Sequence, residues 1–157
     1  MLGTAINGIL LAHILKPKAE HLCAVEIQSI VKRYRVEKAE KYFKEKRILI
    51  FSGGTGLPYF TTDTATALRA CELGADLILK ATNVNGIYDK DPNKYKDAKL
   101  IKKISYEDVL NKDFKIMDRP ALALLKERRI PIIVFNIFKH GNLKKVLAGN
   151  EIGSIVC

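Results

Sequence analysis

The sequence predicts an α/β fold, a three-layer αβα sandwich with a mostly parallel central sheet. Three short apolar runs carry that expectation: RILIFSG at 47–53, DLILKAT at 76–82 and IPIIVFNI at 130–137. Each is continuous rather than alternating, as expected of a strand buried on both faces. Helical segments lie between and after them, and strands that alternate with helices imply parallel pairing through crossovers. A chain of 157 residues fits a single domain over 1–157 and can bury a real core.

The elements follow in order. Residues 3–16 read as a helix that stops before Pro17, whose ring lacks an amide donor. Its apolar composition predicts a buried helix. Without a basic leading region or a small-residue cleavage site, it does not read as a secretory leader. CAVEIQSI at 23–30 reads as a strand with some alternation. Residues 36–46 form an amphipathic helix, because Val36, Ala39, Tyr42 and Phe43 fall at helical spacing with Glu and Lys between them.

After the strand at 47–53 comes a glycine loop, then a helix that Thr61, Thr62 or Asp63 can cap. Ala67, Leu68 and Cys71 supply its apolar face and Gly74 its stop. With the strand at 76–82 this makes a βαβ unit, which implies a parallel pair and a right-handed crossover. A long polar connection runs from Asn83 to about Lys103. Ser105 with Asp108 marks a capping box for a short helix through Leu110, and Asp118 before Arg119 and Pro120 marks another helix start. The strand at 130–137 and a short helix closed by Gly149 complete the set.

Composition narrows the functional classes. Hydrophobic residues at 48% and charged residues at 28% describe a soluble globular chain rather than a disordered one. No apolar run reaches the length of a membrane span. Cys23, Cys71 and Cys157 are odd in number and share no metal-ligand spacing, which suggests a reduced, cytoplasmic setting. His13, His21 and His140 form no metal pattern, so no metal ligand is assigned. The net charge of +10 attracts nucleic acid, anionic membranes and phosphorylated small molecules alike. The lysines are interleaved with acids in VEKAEKYFKEKR and YKDAKLIKKISYED, the pattern of solvated faces rather than of a nucleic-acid surface. A nucleic-acid binder would show steeply salt-dependent affinity.

The glycine loop is the richest stretch. In open α/β sheets ligands sit beyond the carboxyl ends of strands, where residues 53–62 must lie. Gly53, Gly54 and Gly56 allow positive φ and close backbone approach, and the following helix offers free amides. With the hydroxyls of Thr55, Thr61 and Thr62 these donors suit a phosphate. A tight turn after a buried strand is the plainer alternative. No Lys-Ser/Thr pair completes a Walker loop, and Tyr59 stands where a dinucleotide fingerprint needs its third glycine.

The next strand end carries Lys80 and Thr82 into a loop with Asn83, Asn85, Gly86, Tyr88 and Asp91. Lys80 either meets an anion such as a triphosphate or snorkels to solvent, and Tyr88 can lie against a base. Asp63 and Asp118 are each explicable as helix caps.

The stretch FSGGTGLPYFTTDTATALRACELGADLILKATNVNGIYDKDP, followed by KIMD and PIIVFNI, resembles the bacterial uridylate (UMP) kinases of the amino-acid kinase family. The likeness runs in register over essentially the whole chain, most strongly over 48–138. GTGxPxFTTD and LKATxVxGxYxxDP are specific together, and KIMD separates uridylate kinases from acylphosphate-forming relatives. The resemblance implies an amino-acid kinase (carbamate kinase-like) fold and the reaction of UMP with ATP to give UDP and ADP, a step of pyrimidine nucleotide biosynthesis. Mg²⁺ would be bound with ATP, and the family assembles as homohexamers in the cytoplasm.

By the same resemblance, Thr55, Gly56, Leu57, Pro58, Tyr59, Phe60, Thr61 and Thr62 match the UMP-binding loop, with Thr62 near the acceptor phosphate and Phe60 on the pyrimidine side. Thr82, Tyr88 and Asp91 match ATP-binding positions. Lys80 matches a catalytic lysine near the transferred phosphoryl group, and Asp118 an aspartate that organises the catalytic lysines.

The family opens with a strand and a KxSGE-type phosphate loop, then further glycines, an arginine and an acidic UMP contact. None of these appears, and residue 1 matches a point well inside the family's chain. The resemblance therefore implies an N-terminally truncated domain with little or no kinase activity alone. A non-catalytic nucleotide-binding or regulatory module is the alternative. Within the enzymes, an acetylglutamate, glutamate or aspartate kinase is the other candidate, and PYFTTD argues for a nucleotide acceptor.

Overall fold

A computed structural model describes residues 2–157, in two compact units that divide after Gly74. The first contains α1 (Leu2–Ile14), β1 (Ala19–Cys23), β2 (Lys32–Arg33), α2 (Val36–Lys44), β3 (Ile48–Ser52) and α3 (Thr62–Glu72). Its sheet has the order β2-β1-β3, with both pairings parallel. Ala19 stands opposite Ile48 and Cys23 opposite Ser52, so β1 and β3 pair along their whole lengths. On the sheet's flank Glu20 accepts from Lys32 and Arg47, each at 2.9 Å. The Lys32 hydrogen bond is the main cause that holds the Glu20 carboxyl below its ordinary pKa.

Three expectations are corrected in this unit. The strand expected at 23–30 ends at Cys23 and lies earlier in the chain. The apolar residues beyond it close a turn, in which Ile30 and Val31 amides donate to the Ile27 carbonyl and Ser29 takes φ 64°. Val31 then packs with Ala5 and Cys23 rather than extending a ladder.

The first helix was expected to be buried, yet only Ala5 and Gly8 are, while Leu2 and Ile14 are 72% and 75% exposed. A helix that is apolar all round covers only the face it turns to its neighbours. β3 was expected to be buried on both faces, yet Ile48 is 49% exposed. It closes one end of its sheet, and an end strand has a neighbour on one side only.

The second unit contains β4 (Ile78–Thr82), β5 (Ile87–Tyr88), β6 (Leu100–Ile101), β7 (Lys103–Ile104), α4 (Tyr106–Asn111), α5 (Arg119–Arg128), β8 (Ile132–Asn136), α6 (Asn142–Leu147) and β9 (Ser154–Val156). Its main sheet runs β4-β8-β9-β7, with β4–β8 and β7–β9 parallel and β8–β9 antiparallel. β5 and β6 form a separate antiparallel pair. The connection read as polar loop thus holds three two-residue strands, too short to show a period. The closing strand β9 escaped notice for the same reason.

The expected βαβ pairing is corrected as well: β3 pairs with β1, and β4 pairs with β8. Hydrophobic runs mark strands, but which strands become neighbours is a tertiary choice. β4 sits at the end of its sheet with Ala81 exposed, so it too is only half-buried. β8, flanked by β4 and β9, is the strand whose continuous apolar run reflects burial: Ile132, Val134 and Phe135 are buried. Val109 on α4, Leu122 and Leu125 on α5 and Val156 on β9 supply further buried side chains.

The helix starts agree with the sequence. Ser105 Oγ accepts the Asp108 amide at 3.0 Å, and Asp118 Oδ1 accepts the Ala121 amide at 3.0 Å with Pro120 in the first turn. The fold is α/β with mainly parallel pairing, as expected.

Candidate functional site

In the first unit β3 delivers the buried Ser52 to the glycine loop. Gly53, Gly54 and Gly56 take φ of 76°, 62° and 80°, the left-handed region that glycine alone adopts without strain. The Gly53 amide donates to Thr4 Oγ1 on α1 at 3.0 Å. A turn then closes as the Gly56 amide donates to the Gly53 carbonyl at 3.1 Å. Thr55 Oγ1 accepts the Leu57 amide at 3.1 Å. Leu57, Pro58, Tyr59 and Phe60 stand exposed, and Tyr59 also takes a positive φ of 67°.

The loop ends on a helix cap. Thr61 Oγ1 accepts the amides of Asp63 at 3.1 Å and Thr64 at 3.3 Å, so Thr61, not Thr62 or Asp63, is the cap. Thr62 is then the first helical residue, with its side chain outside the cap. The segment 55–62 therefore presents backbone amides, the Thr62 hydroxyl and an apolar edge at the start of α3. The positive end of a helix dipole suits an anion.

In the second unit Lys80 lies half-buried on β4, opposite Val134. Two residues on, the Thr82 hydroxyl folds the chain back: it donates to the Val84 carbonyl at 2.9 Å and accepts the Val84 amide at 3.3 Å. Tyr88 is half-buried on β5, opposite Leu100. Asp91 is exposed, and its Oδ1 accepts the Asn93 amide at 2.9 Å in an Asx turn. Asp118 caps α5. Lys80 and Thr82 thus share one strand, and Tyr88 and Asp91 lie on the connection that leaves it.

Sequence reasoning missed Asn136, which stands opposite Thr82 at the end of β8. Its Nδ2 donates to the Asn83 carbonyl at 3.0 Å, and its Oδ1 accepts the Phe138 amide at 2.9 Å. It organises the loops at two strand ends. The available signal was a polar residue closing an apolar run, the same signal that drew attention to Lys80 and Thr82. Among the described residues no cluster of three or more His, Cys, Asp or Glu could hold a metal ion, and no helix is long and apolar enough to cross a membrane.

The model of the Amino acid kinase family matches residues 1–136. This chain belongs to the amino acid kinase family. Its relatives in that family are closely similar: a uridylate kinase of Campylobacter curvus is 46% identical over 151 residues, covering 94% of this chain and 63% of that protein. One of Wolinella succinogenes is 45% identical over 154 residues, covering 96% and 64%.

Among solved amino acid kinase structures, the UMP kinase of Ureaplasma parvum superposes with a TM-score of 0.92 at 35% identity, over 99% of this chain and 68% of its own. The UMP kinase of Bacillus anthracis gives 0.93 at 32%, over 99% and 66%. The fold expected from the sequence is therefore the amino acid kinase fold. The chain spans 63–65% of the length of the curated relatives it matches.

Proposed function

We propose that this amino acid kinase chain serves phosphoryl transfer from ATP to UMP, giving UDP and ADP. The observation that carries the reading is the loop 55–62, a run of backbone and hydroxyl donors that ends on the capped start of α3. Its similarity to proteins named uridylate kinase supports UMP as the acceptor.

In this reading an oxygen of the UMP phosphate attacks the γ-phosphorus of ATP as the bond to the ADP oxygen breaks. The protein's work is to hold the two phosphates in line and to offset charge on the group in transit. Thr55–Thr62 hold UMP. With the Thr61 hydroxyl and the Asp63 and Thr64 amides committed to one another, the Thr62 hydroxyl is the side-chain donor at the loop's end assigned to its phosphate. Phe60, half-exposed, lines the pyrimidine.

Lys80 supplies positive charge to the transferring phosphoryl group, and Asp118 positions catalytic lysines while capping α5. Thr82, Tyr88 and Asp91 shape the ATP side. Mg²⁺ would come with ATP, held chiefly by phosphate oxygens, and would neutralise part of their charge. We place the protein in the cytoplasm as a homo-oligomer, a hexamer by likeness to the family, acting on nucleotides and not on nucleic acid or membranes.

The test is a coupled assay of UDP formation from UMP and Mg-ATP. It is run on this chain alone and with an added polypeptide matching the remaining third of its relatives. UDP formation in either arm supports the reading. UMP binding without UDP in both arms would favour a nucleotide-binding module, and a folded chain that neither binds UMP nor forms UDP would remove the assignment.

A further inference from the structure

One contact holds the strand end from which the glycine loop departs. His21 Nε2 on β1 lies 2.7 Å from Ser52 Oγ, and either group can donate, according to the ring tautomer. Ser52 is only 6% exposed and directly precedes Gly53. The imidazole also fills the space over Gly8 of α1, where even a methyl group would fall 2.8 Å from Cε1 and 2.9 Å from Cδ2.

One helical turn earlier, Thr4 accepts the Gly53 amide at 3.0 Å. Thus α1, β1 and β3 meet at this ring, and two side chains pin consecutive residues at the root of the loop. A buried hydroxyl such as Ser52's costs stability when it has no partner.

The surroundings hold the imidazole neutral. Burial pushes its pKa below the ordinary value. β3 carries no ionisable side chain, and α1 carries only His13. Glu20, next to His21 on β1, alternates to the opposite face and is bound by Lys32 and Arg47.

We propose that His21 is a positioning residue for the UMP loop: its hydrogen bond to Ser52 fixes the peptide from which Gly53 and Gly54 turn, and so aims the donors of residues 53–62. The proposal rests on the reading of that loop as the UMP site.

The experiment is calorimetric titration of the full chain with UMP, above and below the ordinary imidazole pKa, with circular dichroism as the fold control. His21→Leu and Ser52→Ala remove the same hydrogen bond from its two ends, and each is expected to weaken UMP binding by about tenfold. His21→Gln, whose amide can replace Nε2, is expected to restore most of the loss. Because UMP itself titrates in this range, the pH profile is read as the ratio of the unsubstituted chain to the Gln variant. That ratio should fall on acidification, because protonation removes the acceptor on Nε2 and places a charge in a half-buried site.

Should His21→Leu fail to fold, Ser52→Ala carries the test, since it deletes a single oxygen. Folded Leu and Ala variants that bind UMP as tightly as the unsubstituted chain, with a flat ratio, overturn the positioning role alone. An unsubstituted chain that binds no UMP overturns the loop reading, and this proposal with it.

Discussion

Asn136 Nδ2 donates to the Asn83 carbonyl at 3.0 Å and so ties the end of β8 to the loop that leaves β4. The same side chain accepts the Phe138 amide at 2.9 Å. Asn136→Ala should lower the unfolding free energy by about 1–2 kcal/mol, because it unpairs groups on two loops. Urea denaturation followed by circular dichroism measures this. A midpoint unchanged from the parent chain would show that these bonds are replaced by water at no cost.

Thr61 gives a sharper test of the cap that closes the glycine loop, since its hydroxyl serves two amides of α3. Thr61→Val keeps the shape and removes the acceptor, with an expected loss of about 1 kcal/mol, while Thr61→Ser retains the cap. Comparison of the two in one denaturant series isolates the cap. A loss in Thr61→Ser with none in Thr61→Val would mean that packing of the methyl group, not capping, decides.

The two glycines that open the loop should differ. Gly53 has φ 76°, and a methyl group there would meet Cys23 Sγ at 2.8 Å. Gly54 has φ 62° but open space around it. Gly53→Ala is expected to cost about 2–3 kcal/mol, from backbone strain plus overpacking, and Gly54→Ala about 1 kcal/mol from backbone strain alone. Thermal unfolding ranks them, and a reversed order would refute the packing argument.

Acid should destabilise the first unit in two stages. His21 has a folded pKa below its ordinary 6.5, so the unfolded chain takes up the proton first as pH falls. Stability is full above about 6.5 and declines as pH drops toward the lower folded value. Glu20, lowered from its ordinary 4.5 chiefly by the Lys32 hydrogen bond, also contributes above its unfolded pKa, and its share is lost as pH falls through the folded value. A pH series of unfolding midpoints should lose its upper step in His21→Gln and show a smaller lower step in Glu20→Gln, where Glu107 and Asp108, also held below their ordinary pKa by Lys126 and Lys112, still titrate. Retention of both steps at full size would assign them to other groups.

In the proposed reaction Lys80 is the residue whose loss should matter most. It lies half-buried on β4, opposite Val134. Lys80→Met keeps the stem and removes the charge. UDP formation in the assay arm with the added polypeptide is expected to fall about 100-fold or more, with the circular dichroism spectrum unchanged. Full retention of turnover would remove Lys80 from the transfer step.

Much of this was legible in the chain. The capping residues Ser105 and Asp118 were marked by their types and spacing, because a cap is a contact among residues a few positions apart. The left-handed turns at Gly53, Gly54 and Gly56 were marked likewise, since few other residues tolerate them. The donor-rich loop, and Lys80 and Thr82 closing an apolar run, were the grounds for expecting a phosphorylated ligand, with a tight turn and a solvent-directed lysine as the plainer alternatives.

Only the tertiary structure decided what those local signals become part of. Nothing in the apolar runs said that β3 would pair with β1 and β4 with β8, or that β3 would end its sheet half-exposed while β8 lay interior. Nor did alternation in 23–30 say that those residues would turn back on Ile27. Ladder partners and burial depend on residues distant in sequence, and a side chain such as His21 gains its role only when Ser52 and Gly8 are folded against it. Local sequence determined caps, turns and the chemistry of the loop, while long-range packing decided which strand carries that loop and what holds it in place.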